Sequence, residues 1–155
     1  MKKLVTAALL SGLMVAGVTN APAAMVSKNI VKLSVSATGA NVSMASNMKV
    51  GGSKVGSATG TFQIDTKKNT FCYNVKTVGL ANVLEAHIHV GAAGADGADI
   101  VPFNVAKFNK AGLTCIKSTA KILGGITMDP ANYYFNVHTK AYADGAVRGQ
   151  LALTK

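Results

Sequence analysis

Hydrophobic and polar residues alternate along most of the chain, which is the two-residue period of strands that bury one face. Val31, Leu33 and Val35 alternate with polar neighbours over 29–37 and predict an opening strand. Over 56–65, Ala58, Gly60, Phe62 and Ile64 share one face, and a lysine-bearing turn follows at 65–69. Over 70–78, Phe71, Tyr73 and Val75 point one way and Cys72, Asn74 and Lys76 the other. A short turn between two such segments predicts an antiparallel hairpin. In the next segment Leu84, Ala86, Ile88 and Val90 form an apolar row, while Glu85, His87 and His89 form the opposite one.

The glycine- and alanine-rich stretch 91–99 reads as a loop, and 100–105 as a short strand in which Pro102 marks an edge or an end. A further strand at 113–117 carries Cys115. Ser118 is placed to cap a short helix over 119–123, closed by Gly124 and Gly125. Strands over 133–139 and 146–153 complete the pattern, with Asp144-Gly145 as the hairpin turn between them. The segment 38–57 is rich in small residues and reads as loop, with one weak edge strand around Met48-Lys49-Val50. Many short strands with one short helix indicate an all-β, antiparallel Greek-key β-sandwich of immunoglobulin-like or superoxide-dismutase-like type.

The first two dozen residues follow a different rule. Met1-Lys2-Lys3 is a positive start, an apolar run extends from Leu4 to Val18, and Ala21-Pro22-Ala23 offers a small-residue cleavage site. We read 1–23 as a signal peptide and 24–155 as a single domain, exported to the periplasm or secreted. The apolar run is shorter than the roughly 20 residues of a spanning helix, so no membrane span is expected after cleavage. In that compartment the two cysteines, Cys72 and Cys115, read as a disulfide.

The formal net charge is +10, and +8 once Lys2 and Lys3 are removed. The lysines are scattered, with no basic run interleaved with aromatics, so a nucleic-acid partner is not indicated. A P-loop, a Ser-His-Asp signature and a paired-carboxylate motif are likewise missing from the sequence.

The chemistry is concentrated in the histidines. His87 and His89 stand two apart on one strand face, and the remaining histidine, His138, lies in the similarly alternating Tyr133–Thr139 segment. Imidazoles two apart on a strand are about 6–7 Å apart at Cα, close enough to reach one ion. A third ring from a neighbouring strand makes an N₃ set, which suits copper, zinc or nickel. Export favours copper over zinc. Glu85 shares the histidine face and is a candidate for orienting an imidazole. The plainer reading gives the histidines hydrogen bonds to loop backbone, with His138 paired to Asn136 or Asp144.

Four ordered blocks resemble a known family. Ala86-His87-Ile88-His89-Val90-Gly91-Ala92-Ala93-Gly94, Ile100-Val101-Pro102, Tyr133 to Thr139 and Gly145-Ala146-Val147-Arg148-Gly149-Gln150-Leu151 are similar to the CHRD (chordin-type) domain. The resemblance covers roughly 56–153; the Glu-Val-Pro-Pro type block usual near the start of such domains is absent between Ala37 and Gly56. It implies a secreted protein and brings no assigned activity. A more distant likeness joins the His-x-His strand, the later Val-His strand and the Gly-Ala-x-Arg-Gly strand to the copper-site frame of Cu/Zn superoxide dismutases. It implies His87, His89 and His138 as copper ligands and Arg148 as an anion-guiding residue. The expected function is copper handling in the envelope or superoxide-related redox chemistry. The alternative is a non-catalytic module that binds an envelope or protein partner and uses its histidines structurally.

Overall fold

The computed structural model describes residues 29–42 and 51–154. The signal-like segment at 1–23 and the weak strand around Met48 lie outside the described residues. The elements are β1 (Ile30–Thr38), β2 (Ser57–Asp65), β3 (Thr70–Val78), β4 (Val83–Val90), β5 (Asp99–Pro102), β6 (Thr114–Lys117), α1 (Ala120–Met128), β7 (Tyr133–Thr139), β8 (Tyr142–Gln150) and β9 (Ala152–Leu153). The paired strands are antiparallel and run in the order β5-β4-β7-β8-β1-β2-β3-β6, with β9 also on β1. The fold is therefore all-β with one short helix, as the alternation implies.

The sheet curls so that its two halves face each other. Phe62 on β2 meets Phe135 on β7 with ring centroids 6.0 Å apart, and Phe103, just after β5, lies 5.7 Å from Phe71 on β3. Leu33, Phe62, Ile64, Phe71, Ile88, Phe135, Val137 and Val147 are all buried in this seam. These are the residues on the apolar sides of their strands, so the period-two pattern correctly assigns the inner face. At the two ends of the β4 apolar row, Leu84 and Val90 are 58 % and 43 % exposed; Leu84 falls in the register shift between Val83 and Glu85, and Val83 packs against the core in its place.

The hairpin at 65–69 forms as expected: the Asp65 side chain accepts the backbone N–H groups of Lys67 and Lys68, and Asn69 takes a positive φ of 53°. β5 is one edge of the sheet, as Pro102 indicates. Cys72 on β3 and Cys115 on β6 are register partners and form a disulfide.

Two local expectations are corrected. The helix starts from Thr119, whose hydroxyl accepts the Ile122 N–H, and it continues through Gly124 and Gly125 to Met128. Buried Leu123 and Ile126 carry it past the glycines. Asp144-Gly145 is not the hairpin turn; Lys140 and Ala141 make that turn, and Tyr142 already pairs with Thr139. Because Val147 pairs with Val137, residues 143–146 bulge out opposite the single residue His138. Among the described residues, no helix is long and apolar enough to cross a membrane.

Candidate metal centre

The outer face of the β4–β7 pair carries three polar rows. Glu85 stands opposite His138, His87 opposite Asn136, and His89 opposite Tyr134. On the other side of β7, β8 places Arg148 opposite Asn136 and Gln150 opposite Tyr134. Since successive side chains alternate faces, burying Ala86, Ile88, Phe135 and Val137 in the core forces the histidines outward together.

The three rings converge. Their centroids are 5.6 Å (His87–His89), 5.5 Å (His87–His138) and 6.1 Å (His89–His138) apart. Each ring offers a nitrogen to a set lying within 4.8 Å of one another, which one ion can span. The sequence expectation that all three imidazoles meet is thus met in geometry.

Their outer nitrogens are held by the surroundings. His89 Nδ1 lies 3.0 Å from the Gly97 carbonyl, and His138 Nδ1 lies 2.8 Å from the Ala143 carbonyl. A carbonyl only accepts, so each Nδ1 is a donor nitrogen, and in the corresponding neutral tautomer it is Nε2 that carries the lone pair. Those Nε2 atoms, together with His87 Nδ1, are buried without a hydrogen-bond partner. The other nitrogen of His87 faces the Glu85 carboxylate at 3.9 Å. Backbone carbonyls behind two of the rings are the kind of support that metal-ligating histidines use; the Glu85 carboxylate is near His87 but beyond hydrogen-bond distance. The His89 pKa is lowered from its ordinary value, chiefly by burial. The Gly97 carbonyl and Asp99 oppose the shift; His87 and His138 add to it. A ring that stays neutral is ready to coordinate.

Arg148 lies beside this centre and secures its cover. Its side chain is 2 % exposed. The guanidinium donates to Asp96 Oδ1 (3.0 Å) and to the carbonyls of Ala92 (3.0 Å) and Ala95 (2.6 Å). It also sits 3.4 Å from the centroid of the Tyr134 ring, which in turn stacks on His89 at 4.8 Å. The Tyr134 hydroxyl accepts the Gly97 N–H. The loop after β4, which supplies the carbonyl for His89, is therefore fastened from β7 and β8.

Sequence reasoning missed Tyr134 and the carbonyls of Gly97 and Ala143 as parts of this site. Tyr134 shares the two-residue period of His138 and could have been found on that ground. The carbonyls carry no side-chain signal.

The CHRD domain model matches residues 33–151, three-quarters of the chain. The chain belongs to the CHRD-domain family. Searches of curated proteins and of solved structures find no match to it, so the likeness to superoxide dismutases rests on the motifs alone. For this CHRD-domain chain, the three histidines are residues that could hold a metal ion.

Proposed function

We propose that this CHRD-domain protein is exported and holds one copper ion through His87, His89 and His138, for copper handling in the envelope. One observation carries the reading: the three rings offer ligand nitrogens within 4.8 Å of one another, each ring has a buried nitrogen without a hydrogen-bond partner, and the other nitrogens of two of the rings lie on backbone carbonyls. Burying a polar atom without a partner is unfavourable, and a cation removes that penalty for all three at once. An all-imidazole set suits copper first, by the general affinity order of divalent ions, and zinc second.

The Cys72–Cys115 disulfide agrees with an oxidising compartment outside the cytosol. The signal-like segment 1–23 supports the same address.

Titration of the purified protein with Cu(II) and with Zn(II) tests the proposal. The expected result is one tightly held equivalent of Cu(II), bound more strongly than Zn(II) and lost in His87→Ala. Binding with no defined stoichiometry would leave a non-catalytic interaction module as the better account. Superoxide-related chemistry is the more specific form of the proposal; Arg148, expected as an anion guide, is instead buried and engaged by Asp96 and two carbonyls, so it would act by holding the loop. A superoxide assay on the copper-loaded protein separates an enzyme from a carrier.

A further inference from the structure

We propose that Asn136 is a working member of this centre: its side-chain carbonyl accepts a hydrogen bond from the water, or other hydroxyl-bearing ligand, that completes the coordination of the ion. The inference rests on the metal-binding reading and adds to it the kind of ligand that the open position takes.

Among the described residues, five buried side-chain polar atoms lack a hydrogen-bond partner, and four of them belong to this face: His87 Nδ1, His89 Nε2, His138 Nε2 and Asn136 Oδ1. Such atoms are rare in folded proteins and each calls for an explanation. Their grouping is not what packing alone selects. Three of the four share one chemistry. The imidazole nitrogens of His89 and His138 are lone-pair acceptors, because the opposite nitrogens donate to carbonyls. The Asn136 Oδ1 is an acceptor by nature. These three acceptors cannot satisfy one another.

A cation takes up imidazole lone pairs. A carboxamide oxygen is a poorer match for a site that selects copper, whereas it is well matched to an O–H donor. Water bound to a divalent ion is more acidic than bulk water and a stronger donor for it.

Placement agrees. Asn136 is the direct partner of His87 across β4–β7 and stands two residues before His138 on the same face of β7. Facing Cβ atoms in such a pair lie about 4.5–5.5 Å apart. At 6 % exposure, its carboxamide is cut off from bulk solvent. The β8 bulge makes the room: a Cβ on Gly145 would lie 2.9 Å from both Asn136 Nδ2 and Oδ1. The same bulge supplies the Ala143 carbonyl that fixes His138.

The consequence is discrimination among small ligands. A water or another O–H donor satisfies Asn136, whereas azide, which brings no O–H, displaces that donor and leaves the carbonyl unpaired. The test is an azide titration of Cu(II)-loaded protein, followed by the charge-transfer band and by electron paramagnetic resonance. Asn136→Leu, similar in size, removes the acceptor. The expected result is one copper equivalent in both proteins, with azide bound about two- to tenfold more tightly by the variant, the equivalent of one neutral hydrogen bond.

Asn136→Asp preserves size and shape should the leucine variant fail to fold. Its negative charge is expected to weaken azide binding at least tenfold. Equal azide affinity and unchanged copper spectra in wild type and the folded variants overturn the role of Asn136 while leaving the histidine site intact. Failure of the wild type to bind copper stoichiometrically overturns the metal reading itself and this inference with it.

Discussion

His89 shows how one side chain serves both folding and binding. Burial disfavours its charged form, and the neighbouring imidazoles disfavour it further, so its folded pKa lies below the unfolded value near 6.5. The sign follows from linkage: below that value the unfolded chain binds the proton more readily than the folded one. The stability contributed by a neutral His89 is complete above pH 6.5 and is lost as pH falls through the folded pKa. Protons also compete with a metal ion for the same lone pair. Denaturant unfolding of metal-free protein at pH 7.5 and pH 5 should show a stability loss on acidification that is smaller in His89→Gln, which has no ring to protonate. Copper affinity of the wild type should decline over the same interval. Arg148 works at this scale in a different way. Buried charges are unfavourable unless paired, and this one is matched by Asp96, two carbonyls and the Tyr134 ring. Its contacts end on the loop that orients His89.

At the scale of elements, what was legible in the sequence follows from what alternation encodes. Phe71-Cys72-Tyr73 and Ala86-His87-Ile88 declare both strand and face, because an apolar residue at every second position leaves one solution for the buried side. The His-x-His strand was therefore readable, and so was the shared face of His138. The bulge in β8 was not. Asp144-Gly145 carries a turn signature, yet the tighter Lys140-Ala141 turn forms first in the chain and leaves the glycine to a bulge, where its φ of +136° is needed. The helix end was misjudged for a similar reason: local glycine preference lost to the burial of Ile126. These two kinds of glycine predict opposite outcomes. Gly145→Ala meets a strained backbone and the Asn136 carboxamide, and should lower unfolding free energy by about 1–3 kcal/mol. Gly124→Ala, with no atom within 4 Å of the added carbon, should raise it by about 0.5–1 kcal/mol through reduced chain entropy. Urea unfolding of the two variants beside the wild type reads both signs.

The whole molecule separates its covalent staple from its chemistry. The disulfide joins β3 to β6 at one end of the sheet order, whereas the histidines stand on β4 and β7 near the other. That separation could not be read from the chain, because the connections from β3 to β4 and from β5 to β6 exchange halves and no local pattern states which strands become neighbours. It follows that the two features stabilise different things. The Cys72–Cys115 bridge spans a sequence separation of 43 residues, so its removal from the unfolded ensemble should cost on the order of 3–4 kcal/mol in the chain-entropy model. Short β6, paired only with β3, is the element most dependent on it. The residues behind the imidazoles, Gly97, Ala143, Glu85 and Arg148, all belong to the opposite half or its loops. The variant with both cysteines changed to serine should therefore unfold at lower denaturant, with faster amide exchange concentrated in 114–117 and the facing part of β3. Under conditions where it remains folded, its copper stoichiometry and affinity should equal those of the wild type. A parallel loss of copper affinity and stability would mean instead that the two halves of the curled sheet act as one unit, with the staple supporting the imidazoles across the core.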